Sequence, residues 1–134
     1  MGEEELKNRE LEGYLSLAQE YLEVAESSLA EERYRVAVDT AYNAAESCAR
    51  GLLLLRLPEP PRSHKGLIAK FGEQYTKDGP LPKKLGRTLN TMLELRGRAR
   101  YDANSPMGKE EAQDAIELAR TLMQALESEL PPAD

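Results

Sequence analysis

Tryptophan is absent, and cysteine, histidine and phenylalanine occur once each, as Cys48, His64 and Phe71. A single cysteine excludes a disulfide framework and any zinc site built on several cysteines. A single histidine excludes a histidine-rich metal centre. Valine and isoleucine together supply five residues. Strands are built on β-branched and aromatic side chains, so this scarcity argues against a sandwich or barrel. The longest apolar run, Leu52 to Leu55, is far short of a bilayer span. The opening MGEEELKNRE is acidic and has no apolar centre, so it does not read as a signal peptide. A cytoplasmic protein without membrane contact is expected.

What is present points to helices. Leu and Ala contribute 21 and 16 of the 134 residues, and both favour helix. The length suits one domain spanning 1–134, with a packed core over about residues 10–128, an acidic N-terminal tail and a proline-containing C-terminal tail. The formal net charge is −6, which argues against nucleic-acid binding over the whole surface. The charge is segregated: residues 1–32 carry net −8, residues 33–102 net +7 and residues 103–134 net −5. The basic centre is either a local anion-binding surface or a set of helix faces that pair with the acidic ends.

The prolines fall in four groups, Pro58/Pro60/Pro61, Pro80/Pro82, Pro106 and Pro131/Pro132, and proline breaks helix interiors. Before Pro58, the apolar stripe Leu11, Leu15, Ala18, Leu22, Ala25, Leu29 slips phase at Glu31–Arg33 and restarts at Tyr34. The slip predicts a tight turn between two long antiparallel helices. A third helix starts after Ser63, a good N-cap, and stops at Lys77-Asp78-Gly79-Pro80, where Gly79 is expected as a left-handed cap. A fourth runs from about Pro82 to Arg100 and a fifth from about Gly108 to Leu130. The fold class is all-α, an up-and-down bundle of about five helices.

Few residues offer chemistry. Arg96 sits where the Leu85–Leu89–Leu93 stripe calls for an apolar side chain. It is either a phosphate-binding arginine at a helix end or subunit seam, or a structural arginine paired with a buried carboxylate such as Glu46. Arg96, Arg98 and Arg100 with Tyr101 are candidates to bind a phosphodiester and stack a base. His64 is a candidate acid–base group only if the fold supplies a partner; otherwise it caps or packs at the third helix. Cys48 lies on an apolar stripe and reads as a small hydrophobe. Tyr42, Asn43 and Glu46 on the second helix either line a shallow pocket or satisfy one another. No glycine-rich phosphate loop, nucleophile elbow or His-Glu-x-x-His motif occurs.

In order, the chain contains Tyr34-x-x-Ala37, AYNAAESCARGLLL (41–54), SHKGL (63–67), Phe71, and, beyond Gly79, Arg96-x-x-Ala99-x-Tyr101 before a Glu- and Ala-rich helix. This ordered set resembles the HEPN domain family, above all its small stand-alone prokaryotic members, over about residues 10–128. The resemblance implies an up-and-down bundle with a short additional helix, a homodimer, and a minimal nucleotidyltransferase as the partner in a two-gene or toxin–antitoxin system. Ribonuclease members use Arg, four to six residues, then His, brought together across the dimer and without metal. Here Arg96 matches, but Tyr101, Asp102 and Ala103 fill the histidine registers. Tyrosine is a poor base near neutrality, whereas imidazole is well matched. In the subfamily with Ala-Asp-Tyr after the arginine, Arg100 takes the acidic position.

Three readings follow. The first is a module that binds a nucleotide, RNA phosphate or partner protein, with Arg96, Arg98 and Arg100 at the phosphate and the Arg96–Tyr101 end beside a dimer seam. The second is a metal-independent ribonuclease using Arg96 with Tyr101 or His64, for which weak or no cleavage is expected. The third is a structural adaptor. No cofactor or metal is expected. The resemblance also makes Tyr101 a candidate for adenylylation by the nucleotidyltransferase, the alternative being a ring packed on the bundle with its hydroxyl tethering the following loop.

Overall fold

The computed structural model describes residues 2–130; the proline-containing tail expected at 131–134 lies outside them. Five α-helices follow in order, α1 Glu3–Ala30, α2 Tyr34–Leu54, α3 His64–Phe71, α4 Lys84–Tyr101 and α5 Lys109–Glu129, and the described residues contain no strand. The all-α bundle is as read from the sequence.

The residues taken as an acidic tail are instead the first turns of α1, where Glu3, Glu4 and Glu5 meet the positive end of the helix dipole. The phase slip is a real turn. Glu32 adopts φ 61°, its amide donates to Leu29 at 3.0 Å, and the Arg33 amide donates back to Ser28 at 2.8 Å. This paired closure ends a helix in a left-handed residue, a role usually given to glycine.

α2 is the central helix. Thirteen of its 21 residues are buried, and it packs against α1, α5, α4 and α3. Its alanines at 37, 41, 44, 45 and 49 are all fully buried and allow neighbours to approach on several sides. Ser63 caps α3, its Oγ accepting the Gly66 amide at 3.0 Å. Beyond Phe71 the chain widens into a π-helical turn, Gly72–Thr76, closed by the Lys77 amide on the Gly72 carbonyl at 2.8 Å. Tyr75 in that turn stacks on Phe71 and donates its hydroxyl to the Leu52 carbonyl, which ties the turn to α2.

Gly79 is not the left-handed cap expected, because no glycine among the described residues has positive φ. It is required for closeness instead: a Cβ there would lie 2.6 Å from the Tyr75 carbonyl oxygen. α5 begins as expected, with Glu111 accepting the Gly108 amide at 3.1 Å and Ala112, Ala115, Ile116, Ala119, Leu122 and Leu126 turned into the core.

Candidate functional site

α2 carries a polar stripe along one face. Asp39, Tyr42, Asn43, Glu46 and Arg50 recur at three- and four-residue spacing, so they share a face. That face meets α4 at one level and the start of α3 at another.

At the first level Arg96 of α4 is 9% exposed, and its Nε lies 3.3 Å from Oδ1 of Asp39. Both atoms are buried, and neither makes a hydrogen bond of sound geometry, so the contact is an ion pair. The Arg96 guanidinium carbon is 5.8 Å from the centre of the Tyr42 ring. The carboxylate beside Arg96 is therefore Asp39 and not Glu46. Glu46 is two turns further along α2, about 10 Å away at 1.5 Å per residue, beside the start of α3.

At the second level Glu46, with a side chain 12% exposed, receives three donors. Tyr42 Oη donates to Oε2 at 2.7 Å, His64 Nδ1 lies 2.5 Å from the same oxygen, and Arg50 donates to Oε1 at 3.2 Å. Burial by itself raises the Glu46 pKa, but the Tyr42 hydroxyl, His64 and Arg50 outweigh it and leave the carboxyl below its ordinary value. Burial, and then the Glu46 charge and hydrogen bond, hold the Tyr42 hydroxyl firmly protonated. An ionised carboxylate only accepts, so the His64 proton sits on Nδ1 and Nε2 is the free ring nitrogen. The His64 side chain is 46% exposed. Arg50 also donates to the carbonyls of Pro61 and Arg62, which fixes the loop that delivers His64. Sequence alone left His64 without a partner; the fold supplies Glu46. Asn43 and Glu46, with Tyr14, Tyr21 and Arg50, border a shallow pocket of about 150 Å³, while Tyr42 is buried and is not part of its lining.

At the C-terminal end of α4, Arg98 and Arg100 are exposed. Tyr101 is 78% exposed, with the Arg100 guanidinium 5.9 Å from its ring centre. A tyrosine packed on the bundle is thereby corrected: Ala99 is the last buried residue of α4, and the helix runs two residues past it. Arg35, which sequence reasoning missed, fixes this end. Its guanidinium donates to the carbonyls of Arg98 at 3.1 Å, Ala99 at 2.7 Å and Asp102 at 3.0 Å, and also to Ser105. The last carbonyls of a helix need such partners. Nothing local in the sequence marks Arg35 for the task. Asp39 was also missed, although an acid three residues before Tyr42 in the basic segment was a usable signal.

Burial, with a smaller contribution from Glu127, pushes the Cys48 thiol up to about 12, which suits an inert core residue. Among the described residues no three or more His, Cys, Asp or Glu side chains form a group able to hold a metal ion. No helix among the described residues is long and apolar enough to cross a membrane.

An α-helical bundle whose central helix carries a half-buried polar stripe is the class of protein this geometry defines. The HEPN domain model matches residues 11–129, and the chain belongs to that family. Two candidate toxins of Methanocaldococcus jannaschii are each 32% identical, over 105 and 107 residues, covering 78% and 80% of this chain and 71% and 78% of theirs. A UPF0332 protein of Thermotoga maritima is 30% identical over 121 residues, 90% of this chain and 91% of that one. The fold is also that of a solved structure from Thermus thermophilus, with TM-score 0.74 and 24% identity over 90% of this chain and 98% of the other.

Proposed function

We propose that this chain is an RNA-phosphate-binding HEPN module, the toxin-type component of a cytoplasmic two-gene system, acting as a homodimer with a minimal nucleotidyltransferase as its partner. The observation that carries this reading is the free end of α4. Arg98, Arg100 and Tyr101 stand exposed on a turn that Arg35 holds rigid. Guanidinium groups pair with phosphate oxygens and an exposed ring stacks a base, so the cluster has the chemistry of single-strand binding. Arg96 supports it from below as a positioning residue, since Asp39 already balances its charge. The relatives described as candidate toxins support the toxin role. The family resemblance supports the dimer and the nucleotidyltransferase, and the exposed Tyr101 hydroxyl is open to a modifying enzyme. Residues 1–134 are read as one domain.

The test is an anisotropy titration of a fluorescent single-stranded RNA. Arg98→Ala/Arg100→Ala should weaken binding at least tenfold. Unchanged affinity rejects the reading.

A second reading has its own observation. The 2.5 Å contact between His64 and Glu46 is a base held by an orienting carboxylate, the arrangement general acid–base catalysis needs. It favours a metal-independent ribonuclease centred on His64 rather than on Tyr101. Cleavage of RNA in chelator, lost in His64→Ala, selects this reading; intact RNA selects the first.

A further inference from the structure

We propose that the groove between the π-helical turn and α4, with the outer ridge of α4, is a track for the backbone of single-stranded RNA that leads to Tyr101. The inference rests on the RNA-binding reading above and adds the surface that would carry the strand.

The groove has a volume of about 630 Å³ and is lined by Lys77 from the end of the π-helical turn, by Lys83 at the N-cap of α4 and by Arg87 and Asn90 within α4. Gly86 forms part of its wall, and a Cβ at that position would lie 2.9 Å from Thr76 Oγ1. The two elements therefore meet at van der Waals distance at the glycine, and the larger side chains on either side are turned outward. Lys77, Lys83, Arg87 and Asn90 are all exposed. Among the described residues none of the three cations makes an ion pair. The one acidic wall residue, Glu73, is held by Lys70 at 3.2 Å. Three unspent positive charges thus border one open groove.

The ridge extends the same charge. Lys83, Arg87, Glu94, Arg98 and Tyr101 follow at spacings of four, seven, four and three residues, so they lie on one side of α4. All five are exposed, and Glu94 is the single acid among them. From Lys83 to Tyr101 the helix rises about 27 Å at 1.5 Å per residue. A cationic line of that length ending in an exposed aromatic ring fits a strand several nucleotides long, whose phosphates follow the cations while one base stacks on the ring. The cleft on the other side of α4, towards α5, has a volume of about 530 Å³ and sets Lys84 and the shared Arg87 against Asp114 and Glu117, so its charges cancel, whereas the lining of the π-turn groove stays net positive. Charge therefore directs the strand to the π-turn side of α4. The track excludes the buried Arg96 and does not use the His64–Glu46 pair.

The test compares the full chain with its Lys77→Ala/Lys83→Ala/Arg87→Ala variant in binding a labelled single-stranded RNA of about 12 nucleotides, within the usual single-strand site sizes. Lys109→Ala, on α5, serves as the control. Each phosphate contact to a single strand contributes about 0.7 to the slope of log affinity against log salt, so the triple variant should lose about 2 from that slope. Between about 50 and 200 mM salt, the wild type should then lose about 20-fold more affinity than the variant. The track also predicts that a dinucleotide, too short to reach from Tyr101 to Lys83, binds both proteins equally. Lys77→Arg/Lys83→Arg should keep wild-type affinity, because it keeps the charge.

Equal slopes and equal affinity for the longer RNA, with binding still lost in Arg98→Ala/Arg100→Ala, overturn the track and leave the RNA-binding reading standing. A wild type that binds no RNA overturns both. Polyglutamate displacing the RNA at comparable charge concentration overturns the track in favour of an acidic protein partner.

Discussion

Asp39 on α2 and Arg96 on α4 face each other at 3.3 Å, carboxylate oxygen to Nε, inside the bundle. The arginine that the sequence marks as the most anomalous residue is thus already balanced by a charge of this same chain. It anchors α4 to α2, and of the three arginines in the last turns of α4 only Arg98 and Arg100 are left exposed. Removing one member of a buried pair leaves the other charge unsatisfied.

Arg96→Ala is expected to destabilise the fold by about 2–3 kcal/mol, less than the 3–5 typical of fully buried pairs because Asp39 is partly open to water. Asp39→Asn should cost less, and Asp39→Asn/Arg96→Met should be more stable than the sum of the two single changes predicts. Urea unfolding of the four proteins checks the coupling.

Acid stability should depend on Glu46. Its folded pKa is lowered, so near the ordinary carboxyl value of 4.5 the unfolded chain binds the proton more readily than the folded one. The stabilisation is present above that value and is lost as pH falls from 4.5 through the folded pKa. The added slope is at most about 1.4 kcal/mol per pH unit for one proton. Glu46→Gln should lack this limb, which thermal melts between neutral and acid pH will measure. A variant with the same acid limb as the wild type contradicts the network.

Tyr42 and Tyr101 should respond oppositely to substitution. Tyr42→Phe removes a hydroxyl bonded to the Glu46 carboxylate at 2.7 Å and is expected to cost about 1.5–3 kcal/mol. Tyr101→Ala, at an exposed helix end, should stay within about 0.5 kcal/mol of wild type while weakening RNA binding. Thermal melts and the same anisotropy titration separate the two effects.

Glu32→Gly should stabilise the chain by about 0.5–1 kcal/mol. Glu32 sits at φ 61°, a conformation that costs a side-chain-bearing residue about 1–2 kcal/mol and glycine little, against the extra chain entropy glycine brings. The midpoint of urea unfolding reads the change.

The helices were legible because each carries a repeating apolar stripe, and even the turn at Glu31–Arg33 announced itself as a break in phase without glycine or proline. Ser63 was legible because capping is local, and its hydroxyl meets the Gly66 amide only three residues on. The first turns of α1 were not, because their glutamates leave no apolar stripe although they suit a helix N-terminus. The chemistry was legible by residue and not by partnership. Arg96, His64 and Tyr101 all stood out, but Asp39 meets Arg96, and Glu46 meets His64, only because α4 and α3 reach α2 two turns apart. Which of its two readings Tyr101 takes was not legible, because its exposure depends on where the bundle ends, which the pattern of α4 alone does not encode. Arg35 acts across more than sixty residues, on backbone carbonyls that carry no sequence signature.

The central claim is that RNA meets this protein at the free end of α4. Photo-crosslinking of a 5-bromouridine-substituted single-stranded RNA to the full chain, followed by mass mapping of the labelled residue, tests it most directly. The account predicts that the crosslinked nucleotide sits on Tyr101, and that Arg98→Ala/Arg100→Ala abolishes the adduct. Crosslinks confined to α1 or α5, or an adduct that survives loss of both arginines, would contradict it.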